Sequence, residues 1–402
     1  MGQGMTQPAL RFTARMEVVD VLRGYAIMGL FMAHAVEFFG LYWAHPTPSP
    51  VHDVVFGLFE GKSFSLLALC FGLSFFIIMD RAARRGVDFS ARFVWRLLIL
   101  FGFGWLYGLI YNGEVLQLLA PLGLILIPFN RIKTNAVLVV CGVICLLQPA
   151  LLWQTFWAAQ GADWANQQPH YFTAAHNDVY IHGTFLDMIR LNVFEGQKVK
   201  WWYYIESGRM MQIVGLYLIG LVLGRIGFFA RPDAFTTARR LTMVLAAIAG
   251  LSLYFAHPLL VGLIPHHSDQ PMAPGIFGGI LDSLVNLAQM VFTVMLLVEL
   301  YQGVGRPVLR WLASAGRMTL TLYIMQGVVF VPLYYGFGLG LHAKLTQLQA
   351  LGLGIAFFAA QLVFAHLWFR VFVYGPLEWV WRAATYLTVK VPFLKRKGEA
   401  AA

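Results

Sequence analysis

Apolar residues in this chain come in blocks of about 20, separated by short stretches that hold most of the charge. A block of that length crosses the hydrocarbon of a bilayer as a helix. Backbone in lipid must satisfy its own hydrogen bonds, so such blocks predict helices rather than isolated strands. The pattern predicts about ten spans, near 18–40, 54–79, 93–111, 115–129, 135–157, 203–226, 241–264, 275–303, 314–337 and 350–374. The third and fourth are short and joined through Asn112-Gly113-Glu114, so they read as a helical hairpin. The blocks follow one another without a soluble stretch. The expectation is an all-α integral membrane protein with one polytopic domain over 18–386, an N-terminal tail at 1–17 and a basic C-terminal tail at 387–402.

Composition agrees: 59% of the 402 residues are apolar and 12% charged, where soluble domains carry about 25% charged. The net charge of +10 would suggest a nucleic-acid partner in a soluble protein, but its distribution gives it another meaning. Of the 29 basic residues, 21 fall in the N-terminal tail, the loops 80–97, 130–134, 225–240 and 304–317 and the stretch that follows the last predicted span, against 4 in the opposite loops. Positive charge collects on the cytoplasmic side, so both termini are expected in the cytoplasm and the 158–202 segment outside. The run Trp201-Trp202-Tyr203-Tyr204 suits an interfacial aromatic belt. The first block is longer than a signal-peptide core and reads as a retained span. The three cysteines lie inside apolar blocks, with no disulfide or metal spacing.

Charge inside a membrane needs a reason, and the first span holds several charges. Asp20 and Arg23 are three apart and within contact on a helix. His34 lies eleven residues beyond Arg23, about three turns along nearly the same face and roughly 16 Å away along the axis. Glu37 is one turn further and within reach of His34. The span thus carries polar groups at both ends, either as a functional line or as an interfacial ion pair plus a packed histidine. Glu60, Lys62, Glu114, Glu206 and Arg209 lie toward the outer side in this topology, and His45 sits in a loop with Pro46, Pro48 and Pro50. The loop holding Arg81, Arg84, Arg85, Arg92 and Arg96 could attract phosphates, although positive-inside charge explains it equally well. No Walker sequence or Gly-x-Ser-x-Gly is present.

Several runs resemble the YeiB-like family of bacterial inner-membrane proteins, a domain of unknown function. They are Asp20-Val21-Leu22-Arg23-Gly24, Phe64-Ser65-Leu66-Leu67 with Phe71-Gly72, Asn112-Gly113-Glu114-Val115-Leu116, Gly316-Arg317-Met318-Thr319-Leu320-Thr321 with Tyr323 and Gln326, and Tyr374-Gly375-Pro376-Leu377-Glu378-Trp379. That family resembles the transmembrane acyltransferases, which include heparan-alpha-glucosaminide N-acetyltransferase and bacterial enzymes that decorate surface sugars. The bacterial branch carries an Arg, ten residues, then His in its first span, as Arg23 and His34 do here. The lysosomal enzyme has Asn at that helix position and a catalytic His eleven residues later, where this chain has His45. Many YeiB-like proteins have Asn in place of His34, and the hairpin Asp appears here as Glu114.

The resemblance implies a transmembrane-acyltransferase-like bundle in the bacterial inner membrane. Acyl-CoA would enter from the cytoplasm and deliver its acyl group to a hydroxyl or amine of a sugar, lipid or amine acceptor on the outer side. His45 or His34 would be the general base, since an imidazole titrates near working pH. Glu37 or Glu114 would orient it, and Arg23, Asp20, Arg84 and Arg85 would serve the donor. Membrane lipid is a further expected partner, a homodimer is left open, and no metal or nucleic acid is expected. A transporter or flippase and a non-catalytic membrane partner are the competing readings.

Overall fold

The computed structural model describes residues 16–44, 46–172, 175–265 and 272–395. Helix dominates throughout, and among the described residues the only β pairing is an isolated bridge between Phe372 and Leu394.

The first helix, α1 (Glu17–Val36), is apolar nearly all round and is correspondingly buried, with 15 of its 20 residues enclosed. Glu17 and Asp20 in its first turn suit the positive end of the helix dipole. α2 (Pro50–Phe59) and α3 (Lys62–Ala83) form one long span interrupted at Glu60-Gly61, where the Glu60 carboxylate accepts from Arg209 at 2.7 Å. α4 (Ser90–Ile110) returns, and the chain turns at 111–115 into α5 (Leu116–Leu122) and α6 (Leu126–Arg131). These two are separated by a 3-10 turn at Gly123–Ile125 and α5 contains Pro121. α7 (Asn135–Leu146) and α8 (Pro149–Ala159) follow, separated where Gln148 adopts a left-handed conformation ahead of Pro149.

The segment expected outside the bundle, 158–202, folds into α9 (Ala175–His182), α10 (Phe185–Val193) and α11 (Glu195–Glu206). The span predicted at 203–226 starts later than the hydropathy suggested. Gly208 sits at φ 71°, ending α11 and starting α12 (Arg209–Ile226) in a new direction, so Trp201 to Tyr204 belong to α11.

α13 (Thr236–Gly262) and α14 (Met272–Gln302) pack together. Of the 27 residues of α13 only Arg239 and Gly250 are buried, while Leu245, Ile248, Leu251, Phe255 and Leu259 are each more than half exposed. Such an uncovered apolar helix is stable against lipid, not against water. α15 (Arg306–Arg317) and α16 (Thr319–Tyr334) meet at a bend of 79°. The 304–317 stretch expected as a basic loop is therefore a helix in its own right, laid across α1. The two cross so closely that a Cβ on Gly316 would overlap the carbonyl of Asp20, and one on Gly24 would overlap that of Leu312. α17 (Gln347–Val371) and α18 (Pro376–Tyr386) complete the chain.

Among the described residues eight segments are long and apolar enough to cross a membrane, and the bent pair α15–α16 makes a ninth. The shorter apolar segment Leu116–Arg131 occupies the place of the remaining predicted span. The protein is a multi-pass all-α membrane bundle.

Candidate functional site

Polar side chains gather at both ends of α1. At one end His34 is buried, and its Nδ1 shares a hydrogen bond with the hydroxyl of Tyr111, the residue that closes α4. Phe38, Phe39 and Tyr111 pack round the imidazole. Glu37, expected to reach His34, instead accepts from the indole N–H of Trp43 at 2.6 Å. Their sequence spacing permits contact on a continuous helix, but α1 ends at Val36 and the chain turns away. Leu41 then adopts φ 49°, a left-handed conformation that costs about 1–2 kcal/mol outside glycine. The turn is held by Trp43 on Glu37, by the Tyr42 hydroxyl donating to the Thr47 carbonyl at 3.1 Å, and by Tyr42 stacked on His52. His45 lies outside the described residues; its neighbours Ala44 and Thr47 do not.

Both of those neighbours line a cavity of about 720 Å3. Its wall runs from Gly40 and Tyr42 through Ser49 to His182 of α9 and to His342 and Gln347 near the start of α17. His342 was not singled out by sequence, having no motif and no apolar surroundings to mark it. In the fold its Nδ1 lies 2.7 Å from the carbonyl of Tyr334, the last residue of α16. A carbonyl only accepts, so Nδ1 carries the hydrogen and donates it, and Nε2 is the nitrogen that faces away from this bond.

Glu114 does not orient His34 either. Its Oε2 accepts from the backbone N–H groups of Leu116 and Gln117 at the start of α5, at 2.7 and 3.3 Å, and its Oε1 accepts from Lys200 of α11 at 2.9 Å. Burial raises the pKa of the Glu114 carboxyl, against the pull of Lys200 and the two N–H donors. Burial likewise lowers that of Lys200, against the attraction of Glu114. The hairpin is tied to α16 as well: the Val115 N–H donates to the Tyr323 hydroxyl at 3.0 Å, and the Tyr107 hydroxyl donates to the Tyr323 carbonyl at 3.1 Å. Two of the sequence runs that carry the family resemblance thus meet across the bundle.

At the other end of α1, Arg23 lies 3.6 Å from Asp20, with the arginine about one-third exposed. Arg84 and Arg85 are exposed at the end of α3, where Arg84 donates to Asp80 at 2.8 Å and Arg85 to the carbonyl of Arg81 at 3.1 Å. A second meeting of sequence runs lies here. Glu378 of α18 accepts from the Thr321 N–H at 3.0 Å and from its hydroxyl at 2.6 Å, holding the first turn of α16. Between the two ends, the residues of α1 that share the face of Arg23 and His34 are Ile27, Leu30 and Phe31, all buried.

Residues 223–388, from the end of α12 to just beyond α18, match the model of a family described as a protein of unknown function, DUF418. Three curated proteins, each described as uncharacterized, are similar over nearly the whole chain. YxaH of Bacillus subtilis (strain 168) is 27% identical over 95% of this chain and 96% of its own length. A 39.9 kDa protein in the amylase 3' region of Bacillus acidopullulyticus is 26% identical over 95% and 97%. YeiB of Escherichia coli (strain K12) is 24% identical over 91% and 95%. The chain thus carries a DUF418 match over 223–388 and is similar over nearly its whole length to YeiB and YxaH.

Proposed function

We propose that this protein is a membrane-embedded acyltransferase that moves an acyl group, from acyl-CoA entering at the Arg23 end, to a hydroxyl or amine held in the cavity beside the His34 end. The observation that carries the reading is that cavity. Ala44 and Thr47, which flank His45 in the sequence, line it together with His342, whose Nδ1 is hydrogen-bonded to the Tyr334 carbonyl. In this reading an imidazole takes the proton of the acceptor hydroxyl or amine as that group attacks the thioester carbonyl. The new C–O or C–N bond forms, the C–S bond breaks, and the proton passes to the departing thiolate. His34 is already committed to Tyr111 and buried, which suits a positioning residue that braces the turn rather than the base itself. The orientation, with the Arg23 end cytoplasmic and the cavity outside, follows from the distribution of basic residues.

A transporter or flippase would need a polar or hydrated path through the bundle. The buried Ile27, Leu30 and Phe31 close α1 itself to a solute and to a donor thioester alike, so either reading needs a route between other helices.

The test is release of free thiol from acyl-CoA by the purified protein in lipid nanodiscs, with sugar, lipid and amine acceptors offered in turn. Mass spectrometry of small molecules retained by the protein narrows the acceptor. Substitutions His45→Ala and His342→Gln are expected to lower turnover by about 10²–10⁴-fold each if the respective imidazole is the base. Absence of thiol release with every acceptor, together with movement of a labelled lipid or solute across the bilayer, would replace this reading by transport.

A further inference from the structure

We propose that Arg96 and Arg382, flanked by Arg92, form a receptor for a phosphate group at the Arg23 end of the bundle, where α4 meets α18. The two helices are locked together there. The indole N–H of Trp381 donates to the carbonyl of Arg96 at 2.9 Å, and that of Trp95 donates to the carbonyl of Ala384 at 3.0 Å. On this frame the guanidinium of Arg96 lies 3.6 Å over the Trp381 ring. That of Arg382 lies 4.9 Å from the centre of the Tyr374 ring and 5.5 Å from that of Tyr386, which Arg92 approaches to 5.3 Å. The aromatic faces hold the guanidinium planes and leave their N–H edges available.

What marks the cluster is the absence of an acid. Elsewhere Arg209 has Glu60, Arg239 and Arg240 share Glu299, Arg306 and Arg310 share Glu17, and Arg225 donates to the carbonyls of Asn130 and Ile132. Among the described residues no carboxylate pairs with Arg92, Arg96 or Arg382. The one acid of α18, Glu378, spends both oxygens on Thr321. Arg23 and Arg382 instead stand near enough to Arg96 to repel it.

Positive-inside charge accounts for basic residues lying at this end, but not for their convergence on one aromatic platform, where like charges repel. An anion relieves that repulsion. A phosphate group suits it best, because its several acceptor oxygens match the donor forks of two guanidinium groups at once. The exposed Trp95 beside the site suits the headgroup level of a bilayer. The phosphate could belong to a phospholipid headgroup or to a soluble organophosphate. Neither source depends on the acyl-transfer reading.

Wild type, Arg382→Gln and the double variant Arg96→Gln/Arg382→Gln would be purified in detergent and tested in two arms. In the first, phosphatidylglycerol competes with phosphatidylcholine for retention, read by native mass spectrometry. In the second, coenzyme A and inorganic pyrophosphate are titrated calorimetrically. Saturable binding is expected in at least one arm, weakened by salt and by roughly tenfold or more in the double variant. Arg131→Gln, an exposed basic change at the same end, should leave it unaltered. Selective phosphatidylglycerol retention identifies a headgroup, and binding in the second arm a soluble phosphate. Arg382→Gln keeps the Arg96–Trp381 stack, so weaker binding with an unchanged melt separates loss of the ligand from loss of the fold. The proposal is overturned if the first arm shows no preference for phosphatidylglycerol and the second no binding, or if the double variant binds like wild type.

Discussion

Lys200 and Glu114 stand 86 positions apart in the chain and form a 2.9 Å ion pair, with both side chains almost wholly enclosed. The pair joins α11 to the hairpin between α4 and α5, so it fixes the segment 158–202 onto the His34 end of the bundle. Removing one member of a buried pair leaves the other charge without compensation and typically costs about 3–5 kcal/mol. Lys200→Met should therefore lower the melting temperature of the detergent-purified protein clearly. Adding Glu114→Gln should recover much of the loss, since the amide oxygen still accepts from the hairpin N–H groups. An unchanged melt for Lys200→Met would show that the pair contributes nothing to stability.

The crossing of α1 over α15 makes a second prediction. Gly316→Ala places a methyl group against the carbonyl of Asp20, where backbone meets backbone and no side chain can yield. Overpacking of this kind costs about 1–3 kcal/mol or more. Gly352→Ala in α17 is the matched control, because its Cβ would meet nothing within 4 Å. It should be neutral or stabilise by up to about 1 kcal/mol through helix propensity. Thermal melts of the two variants should move in opposite directions, and equal shifts would argue against the close crossing.

The hydrogen bond between His34 and Tyr111 is open to a double-mutant cycle. Tyr111→Phe leaves a buried imidazole nitrogen without its partner and should cost about 1–3 kcal/mol. In a His34→Leu background the same change should cost far less, because the group it strands is gone. Additive effects of the two substitutions would mean that the side chains do not interact.

Orientation can be tested by labelling. With Cys141 and Cys145 changed to serine and Cys70 buried, Ala44→Cys supplies a single accessible thiol beside the cavity. An impermeant maleimide should label it in intact cells from the periplasmic side. Labelling seen only after the inner membrane is opened would reverse the orientation and place the cavity in the cytoplasm.

Most of the secondary structure was legible because a run of 20 apolar residues is a local property that the bilayer reads directly. The breaks were harder. Hydropathy does not register the left-handed turns at Gln148 and Gly208 or the 79° bend before Thr319, since each replaces helix by a turn without changing the apolar count. The loop expected at 304–317 became α15 for a similar reason: its basic residues lie along a helix whose other face packs on α1.

By itself, then, the sequence determined that the chain spans a membrane many times, roughly where it crosses, and which polar residues in the first span need an explanation. Only the tertiary structure decided which partners those residues have. His34 meets Tyr111 rather than Glu37, Glu114 meets Lys200 rather than an imidazole, Arg96 gathers with Arg382, and His342 enters a cavity wall. Such pairings join side chains across tens to hundreds of positions. They depend on how far each helix is rotated about its axis and where it crosses its neighbour, quantities set by interlocking side-chain shapes and close glycine contacts. Hydropathy records how much of a helix is apolar, and it carries almost no information about either.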